Sequence, residues 1–274
     1  MSKIREEYFR LKNLNSDYLS DGVIFSFLTK CNGFNSFEEL TINFENQCKN
    51  LQNLNDFVSR ALSGEPYQYI LNSAYFCGLS FYVDKRVLIP RNETEELVIK
   101  LKEIIERKKL SNFHLVDACT GSGCIAISLK KMFPNSQIIA TDISMDAIDV
   151  ANINKNRLNV DVDFRLGNLL NPIDEKVDII ISNPPYIKKI EDVDKNVLDY
   201  EPHIALFSKN GYEFYEQMFI QSKSILNDKF ILAFEIGVDI KDDLLILSKK
   251  YFPNALISVM KDIYNNDRFL FIEK

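Results

Sequence analysis

His114-Leu115-Val116-Asp117-Ala118-Cys119-Thr120-Gly121-Ser122-Gly123, continuing into Cys124-Ile125-Ala126-Ile127-Ser128-Leu129, decides the fold. A short apolar run reads as a strand, the glycine-rich stretch as a turn, and the segment Cys124–Met132 as a helix. Outward from this unit the pattern repeats. Gln137–Thr141, Val162–Arg165, Asp178–Ser182, Phe230–Glu235, Leu256–Met260 and Arg268–Ile272 read as further strands, with a helix predicted over Met145–Asn156. Alternation of this kind predicts an α/β fold: a parallel sheet with helices on both faces. Only the short polar loop Lys261–Asp267 separates the last two strands, too little for a parallel crossover, so that pair is predicted to be antiparallel.

The turn after the first strand brings backbone close to a ligand and aims helix N–H groups at it. Asp117, Thr120, Gly121 and Gly123 are its candidate ligand residues. Asp142 ends the second strand, where a carboxylate can accept both ribose hydroxyls of an adenosine-type ligand. Asn168 follows the third strand, where a side-chain carbonyl can take an adenine amino hydrogen. The loop lacks the Gly-Lys-Ser/Thr of a phosphate loop and the spacing of a dinucleotide fingerprint, so one adenosine with a short polar tail fits it better. The plain structural alternative is that Asp117 and Asp142 cap helices.

The fourth strand ends at Ser182-Asn183-Pro184-Pro185-Tyr186. Two prolines fix the backbone and offer no N–H. The Ser182 and Pro184 carbonyls and the Asn183 side-chain oxygen then form an array of acceptors beside an aromatic ring, suited to a substrate amino group. An amide nitrogen is a poor nucleophile because its lone pair is delocalised. Acceptors on its two hydrogens favour pyramidalisation and stabilise positive charge growing on nitrogen, while Tyr186 offers a ring face to an approaching cation.

Residues 1–74 read as helical. Ser36 and Glu39 have capping-box spacing, and Leu51, Leu54, Phe57/Val58 and Leu62 form the apolar stripe of a helix that Gly64-Glu65-Pro66 stops. Residues 75–89, aromatic and β-branched with Gly78 near a turn, suggest a β-hairpin joining two domains. The full chain of 274 residues is 46% hydrophobic with net charge −6, which excludes a disordered chain and disfavours a globally basic nucleic-acid binder. Five cysteines without a CxxC pair and two histidines give neither a disulfide framework nor a metal constellation. The charged start has no apolar leader and no apolar run approaches the ~20 residues of a membrane span, so a cytoplasmic protein is expected.

The glycine-rich turn, Asp142 and Asn183-Pro184-Pro185-Tyr186 together resemble class I S-adenosylmethionine-dependent methyltransferases that act on nitrogen. Val87-Leu88-Ile89-Pro90-Arg91-Asn92-Glu93-Thr94-Glu95 and Gly64-Glu65-Pro66-Tyr67-Gln68-Tyr69-Ile70 narrow the resemblance to the HemK/PrmC family, protein-glutamine methyltransferases of peptide chain release factors. Glu201-Pro202 with Ala205-Leu206, and Asn266-Asp267-Arg268, match as well. The resemblance runs from about residue 64 to the C-terminus.

It implies a seven-stranded, Rossmann-like methyltransferase sheet over 90–274 behind a small N-terminal helical bundle. It also implies S-adenosylmethionine as donor with S-adenosylhomocysteine as product, no metal, and the Gly-Gly-Gln glutamine of class I release factors as acceptor. Asn183, Pro184, Pro185 and Tyr186 would hold the glutamine amide, with Arg91 near it, either contacting substrate or only bracing acidic side chains. Asp117, Thr120, Gly121, Gly123, Asp142, Asn168 and Asn183 would line the cofactor. The N-terminal bundle would recognise the protein partner, and the chain is expected to be a monomer without stable nucleic-acid or membrane binding. Departures from the family pattern include Cys119 at a usual glycine, where the turn must run at negative φ or be strained, and Asn168, Asn92 and Asn72 at usual Asp, Pro and Gly. Cys119 and Cys124 read as small buried residues, or alternatively as a redox pair. Two other functions stay open: a DNA or RNA base amino-methyltransferase, which shares Asn-Pro-Pro-Tyr, and a non-catalytic interaction protein on the same fold.

Overall fold

A computed structural model describes residues 2–274 and divides the chain into two units, one ending at Ser73 and one beginning at Ala74. The first unit contains α1 (Ile4–Lys12), α2 (Asp21–Asn32), α3 (Phe37–Ile42), α4 (Leu51–Leu62) and α5 (Tyr67–Leu71). Their apolar faces meet in a core built from Ile4, Leu11, Ile24, Phe27, Leu28 and Leu54. Ser36 caps α3 by accepting the Glu39 N–H at 3.1 Å, but the Glu39 carboxylate turns to the Asn35 N–H at 2.8 Å, so the box is not closed reciprocally. Along α4 the buried residues are Leu54, Val58 and Ala61, at i, i+4 and i+7. Leu62 lies one step past that stripe and is 43% exposed, so the sequence reading placed it on the wrong face.

The second unit opens with a hairpin of β1 (Ala74–Phe76) and β2 (Leu79–Phe81), antiparallel, turning through Cys77 and Gly78, both at positive φ as a two-residue hairpin loop of this hand requires. The hairpin is shorter than the expected 75–89. It stops at Phe81 because the Tyr82 backbone is taken by a side chain: Tyr82 N–H donates to Asn154 Oδ1 at 2.6 Å, and Asn154 Nδ2 donates back to the Tyr82 carbonyl at 2.9 Å. Nor does the hairpin stand as a separate link, since Phe76 and Phe81 are fully buried in the core of the second unit with Leu97, Val98 and Leu101.

After α6 (Asn92–Arg107) come β3 (His114–Ala118), α7 (Cys124–Met132), β4 (Gln137–Asp142), α8 (Met145–Leu158), β5 (Asp163–Leu166), β6 (Val177–Ser182), α9 (Lys195–Tyr200), α10 (Glu213–Ile225), β7 (Leu226–Glu235), α11 (Lys241–Tyr251), β8 (Leu256–Lys261) and β9 (Asp267–Glu273). Among the described residues the main sheet has seven strands in the order β5-β4-β3-β6-β7-β9-β8. β9 pairs antiparallel with both its neighbours, and the other pairings are parallel. Successive strand residues face opposite sides. Leu115, Ile179 and Ile181 pack with α6 and α7, whereas Val116, Ile180 and Leu232 pack with α10 and α11. The chain runs from β3 outward through β4 to β5 and then returns to place β6 on the other side of β3. That reversal opens a crevice beyond the carboxyl ends of β3, β4 and β6, the ligand position of open α/β sheets.

Candidate active site

The crevice is built first by the loop after β3. Asp117 is fully buried and its Oδ2 accepts from Thr120 Oγ1 at 2.6 Å and from the Ala126 N–H at 3.2 Å, fastening the loop to the first turn of α7. Its Oδ1 is buried with no partner, and burial pushes the carboxyl pKa up to about 7. Gly121 and Gly123 both take left-handed backbone, and a Cβ at Gly123 would meet Phe164 at 3.0 Å. Cys119 also sits at φ +60°, so the turn is strained there rather than rebuilt at negative φ, a cost of about 1–2 kcal/mol for a residue with a Cβ.

Asp142, at the end of β4, fixes the opposite wall. One carboxylate oxygen accepts the Gly121 N–H and the other the Ser144 N–H, each at 2.9 Å. Burial pushes this carboxyl upward in pKa, and those N–H donors pull against it. A carboxylate oxygen has a second lone pair, so both remain able to accept a hydroxyl. Two strand-end hydroxyls tie the crevice together: Thr141 Oγ1 donates to the Leu169 carbonyl at 2.6 Å and Ser182 Oγ to the Ala118 carbonyl at 2.7 Å.

Two cavities open here. The first, of about 240 Å3, is lined by Gly121, Asp142 and Asn168 with the apolar Ile143, Leu169 and Phe214. The second, of about 190 Å3, is lined by Arg91, Pro184, Tyr186 and Glu235. They meet at Leu88, Asn183, Pro185 and Ala205, which line both. Of the residues singled out from sequence, Gly121, Asp142, Asn168, Asn183, Pro184, Pro185, Tyr186 and Arg91 thus come together. Asp117, Thr120 and Gly123 lie behind the loop and shape it without lining either cavity, and Ser182 is buried in the sheet. Arg91 Nη2 donates to Glu201 Oε1 at 2.5 Å, while the other Glu201 oxygen accepts the Ile89 N–H at 3.0 Å, so the Ile89–Arg91 segment is braced by one buried carboxylate. Burial pushes the Cys119 and Cys124 thiols well above their ordinary range, leaving both in the unreactive thiol form.

Sequence reading missed a buried network around the second cavity. Asn183 Nδ2 donates to Thr94 Oγ1 at 2.9 Å, Thr94 Oγ1 donates to Glu235 Oε2 at 2.6 Å, and the Tyr186 hydroxyl donates to Glu235 Oε1 at 3.1 Å. Thr94 lies within the stretch Val87–Glu95, but nothing local signals its partner 141 residues away.

The first cavity suits S-adenosylmethionine. Its lining combines the apolar Ile143, Leu169 and Phe214 with the polar Asp142 and Asn168, a mix that fits an adenosine carrying a polar tail. Among the described residues no group of three or more His, Cys, Asp or Glu is placed to hold a metal ion.

The strand order, the crevice and this cavity define a class I methyltransferase domain, and residues 95–204 match the family model described as "Methyltransferase small domain". The methyltransferase from Pyrococcus furiosus shares the fold with a TM-score of 0.54 at 18% identity, over 79% of this chain and 96% of that one. The release factor glutamine methyltransferase of Flavobacterium psychrophilum is 42% identical over 214 residues, covering 75% of this chain and 74% of the relative. That of Clostridium acetobutylicum is 37% identical over 273 residues, covering 95% and 93%. The chain belongs to the release factor glutamine methyltransferase family.

Proposed function

We propose that this protein transfers a methyl group from S-adenosylmethionine to the side-chain amide nitrogen of the glutamine in the Gly-Gly-Gln motif of class I peptide chain release factors. The observation that carries the reading is the junction of the two cavities at Asn183 and Pro185, one cavity shaped for an adenosine and the other walled by Asn-Pro-Pro-Tyr. Bound S-adenosylmethionine would supply an electrophilic methyl on a sulfonium. The chain's own task is to present a weak nucleophile to it. With Asn183 Nδ2 committed to Thr94, the side-chain atom Asn183 offers the cavity is Oδ1, an acceptor. That oxygen and the Pro184 carbonyl take the two amide hydrogens, draw the nitrogen out of conjugation and stabilise the charge it gains as the N–C bond forms and the sulfur–methyl bond breaks, its electron pair staying on sulfur to leave S-adenosylhomocysteine. Tyr186, held through its hydroxyl by Glu235, walls the amide in. The extra proton on nitrogen then passes to water. Such a transfer calls for preorganised acceptors rather than a metal.

The N-terminal unit is proposed to contact the release factor outside the Gly-Gly-Gln loop, the chain acting in the cytoplasm as a monomer that meets its substrate transiently. Labelled-methyl transfer, offered side by side to an unmodified release factor and to single-stranded and duplex oligonucleotides, tests the reading. Label is expected in the protein alone. Label in nucleic acid would move the function to base methylation, and the absence of transfer together with absence of cofactor binding would leave a non-catalytic protein.

A further inference from the structure

We propose that Glu235 is a positioning residue that dictates, through Thr94, which end of the Asn183 amide faces the acceptor nitrogen. The proposal deepens the function given above and rests on it. Glu235 ends β7, is 2% exposed, and lines the second cavity but not the first. Its two oxygens are shared between two residues of the acceptor cavity: Oε2 takes the Thr94 hydroxyl at 2.6 Å and Oε1 the Tyr186 hydroxyl at 3.1 Å.

A carboxylate only accepts, so the single proton of the Thr94 hydroxyl is spent on Glu235. The Thr94 oxygen, left as an acceptor, can then bind only the NH2 end of the Asn183 amide, as the 2.9 Å contact has it. Oδ1 is thereby turned toward the cavity. Were Thr94 free to donate to Asn183 instead, the amide could rotate and present NH2 to a substrate amide, which repels the hydrogens it must accept. The polarity of three residues from three elements, α6, β7 and the loop after β6, is thus set by one buried acid. Burial pushes the Glu235 carboxyl up in pKa, while the Thr94 and Tyr186 hydroxyls it accepts and the positive charge of Arg268, which donates to the Ile236 carbonyl at 3.2 Å, pull toward the ionised form.

Glu235→Gln removes the constraint, because a carboxamide can donate to Thr94 and invert the chain. Thr94→Val deletes the relay, and Thr94→Ser keeps it. Glu235→Gln and Thr94→Val are expected to lower kcat by roughly 10–100-fold, the size of losing one aligned bond to developing charge, with the S-adenosylmethionine Kd by calorimetry unchanged. Thr94→Ser should stay near wild type, and the double variant should lose no more than the worse single one. Wild-type kcat in both single variants, or losses that multiply in the double variant, would overturn the proposal. A second readout separates this from failure of the methylation reading. In 15N spectra of the protein without substrate, the Asn183 side-chain NH2 pair, assigned by its loss in Asn183→Asp, should exchange slowly in wild type and Thr94→Ser. It should exchange fast in Thr94→Val. If that pair is indifferent to Thr94, the proposal fails even where wild type methylates the factor. If the pair responds and wild type transfers no methyl, the positioning stands and the assigned reaction falls.

Discussion

At the scale of single residues, the site separates into atoms that touch ligands and atoms that aim them. Asn183→Ala removes the one side-chain acceptor at the junction of the cavities. It is expected to cut turnover by roughly 10²–10³-fold, as loss of one preorganised charge-stabilising bond does, while cofactor binding by calorimetry changes little. Asp142→Ala should do the reverse and weaken S-adenosylmethionine by about 10–100-fold, since charge-assisted bonds contribute about 1.5–3 kcal/mol and the carboxylate also holds the Gly121 N–H. Asp117 is one group through which pH acts on stability. Its folded pKa of about 7 lies above the ordinary 3.8. Below the ordinary value both folded and unfolded chains hold the proton. Between the two values only the folded chain does, so stability falls as pH rises through that window and the loss is complete above the folded pKa. The shift is worth roughly 4 kcal/mol. Urea unfolding at about pH 5 and about pH 8 should show a decline that Asp117→Asn flattens. Asp142, Asn168 and the Asn-Pro-Pro-Tyr residues were legible in the sequence because each lies at a strand end that its own neighbours define. Glu235 was not, because its meaning is a contact with α6 from 141 residues along the chain.

At the scale of elements, strand ends matter more than strand middles. The middles were readable from apolar runs: β3 and α7 coincide with the stretches His114–Ala118 and Cys124–Met132, and β8 and β9 pair antiparallel as their short loop requires. The ends need side chains to close them, and those closures are tertiary. Asn154 truncating the hairpin at Tyr82 is one case, and Ser182 tying β6 to β3 is another. The β3–α7 turn places Cys119, Gly121 and Gly123 all in left-handed backbone, at a steric cost only for Cys119. Gly123→Ala combines a disfavoured φ of +80° with contacts of 3.0–3.2 Å to Phe164, Ala151 and Ile127. Thermal or urea unfolding should show a loss of about 2–3 kcal/mol, the sum expected from backbone conformation and overpacking, accompanied by weaker cofactor binding as the turn shifts. An unchanged midpoint would mean that the turn relaxes freely.

At the scale of the whole molecule, the chain combines a helical unit ending at Ser73 with a methyltransferase unit beginning at Ala74. The net charge of −6 gives no general attraction for a phosphate backbone, in keeping with a protein substrate. No described helix is long and apolar enough to cross a membrane. Within the helical unit, Ile42 is 85% and Phe9 51% exposed. If this unit docks the release factor, Ile42→Asp should raise KM for the intact factor and leave kcat and the KM for a short Gly-Gly-Gln peptide unchanged. Equal effects on both substrates would place docking elsewhere. The partner-binding surface was the least legible feature, because an amphipathic helix reports its buried face through periodicity and says nothing of which exposed side chains meet a partner. The decisive measurement is to incubate the protein with S-adenosylmethionine and a class I release factor confirmed unmodified beforehand, then sequence the factor's peptides by tandem mass spectrometry. A single added methyl is expected on the side-chain nitrogen of the Gly-Gly-Gln glutamine, strongly reduced in parallel by Asn183→Ala. A methyl on any other residue, or an unmodified factor in the presence of bound cofactor, would contradict it.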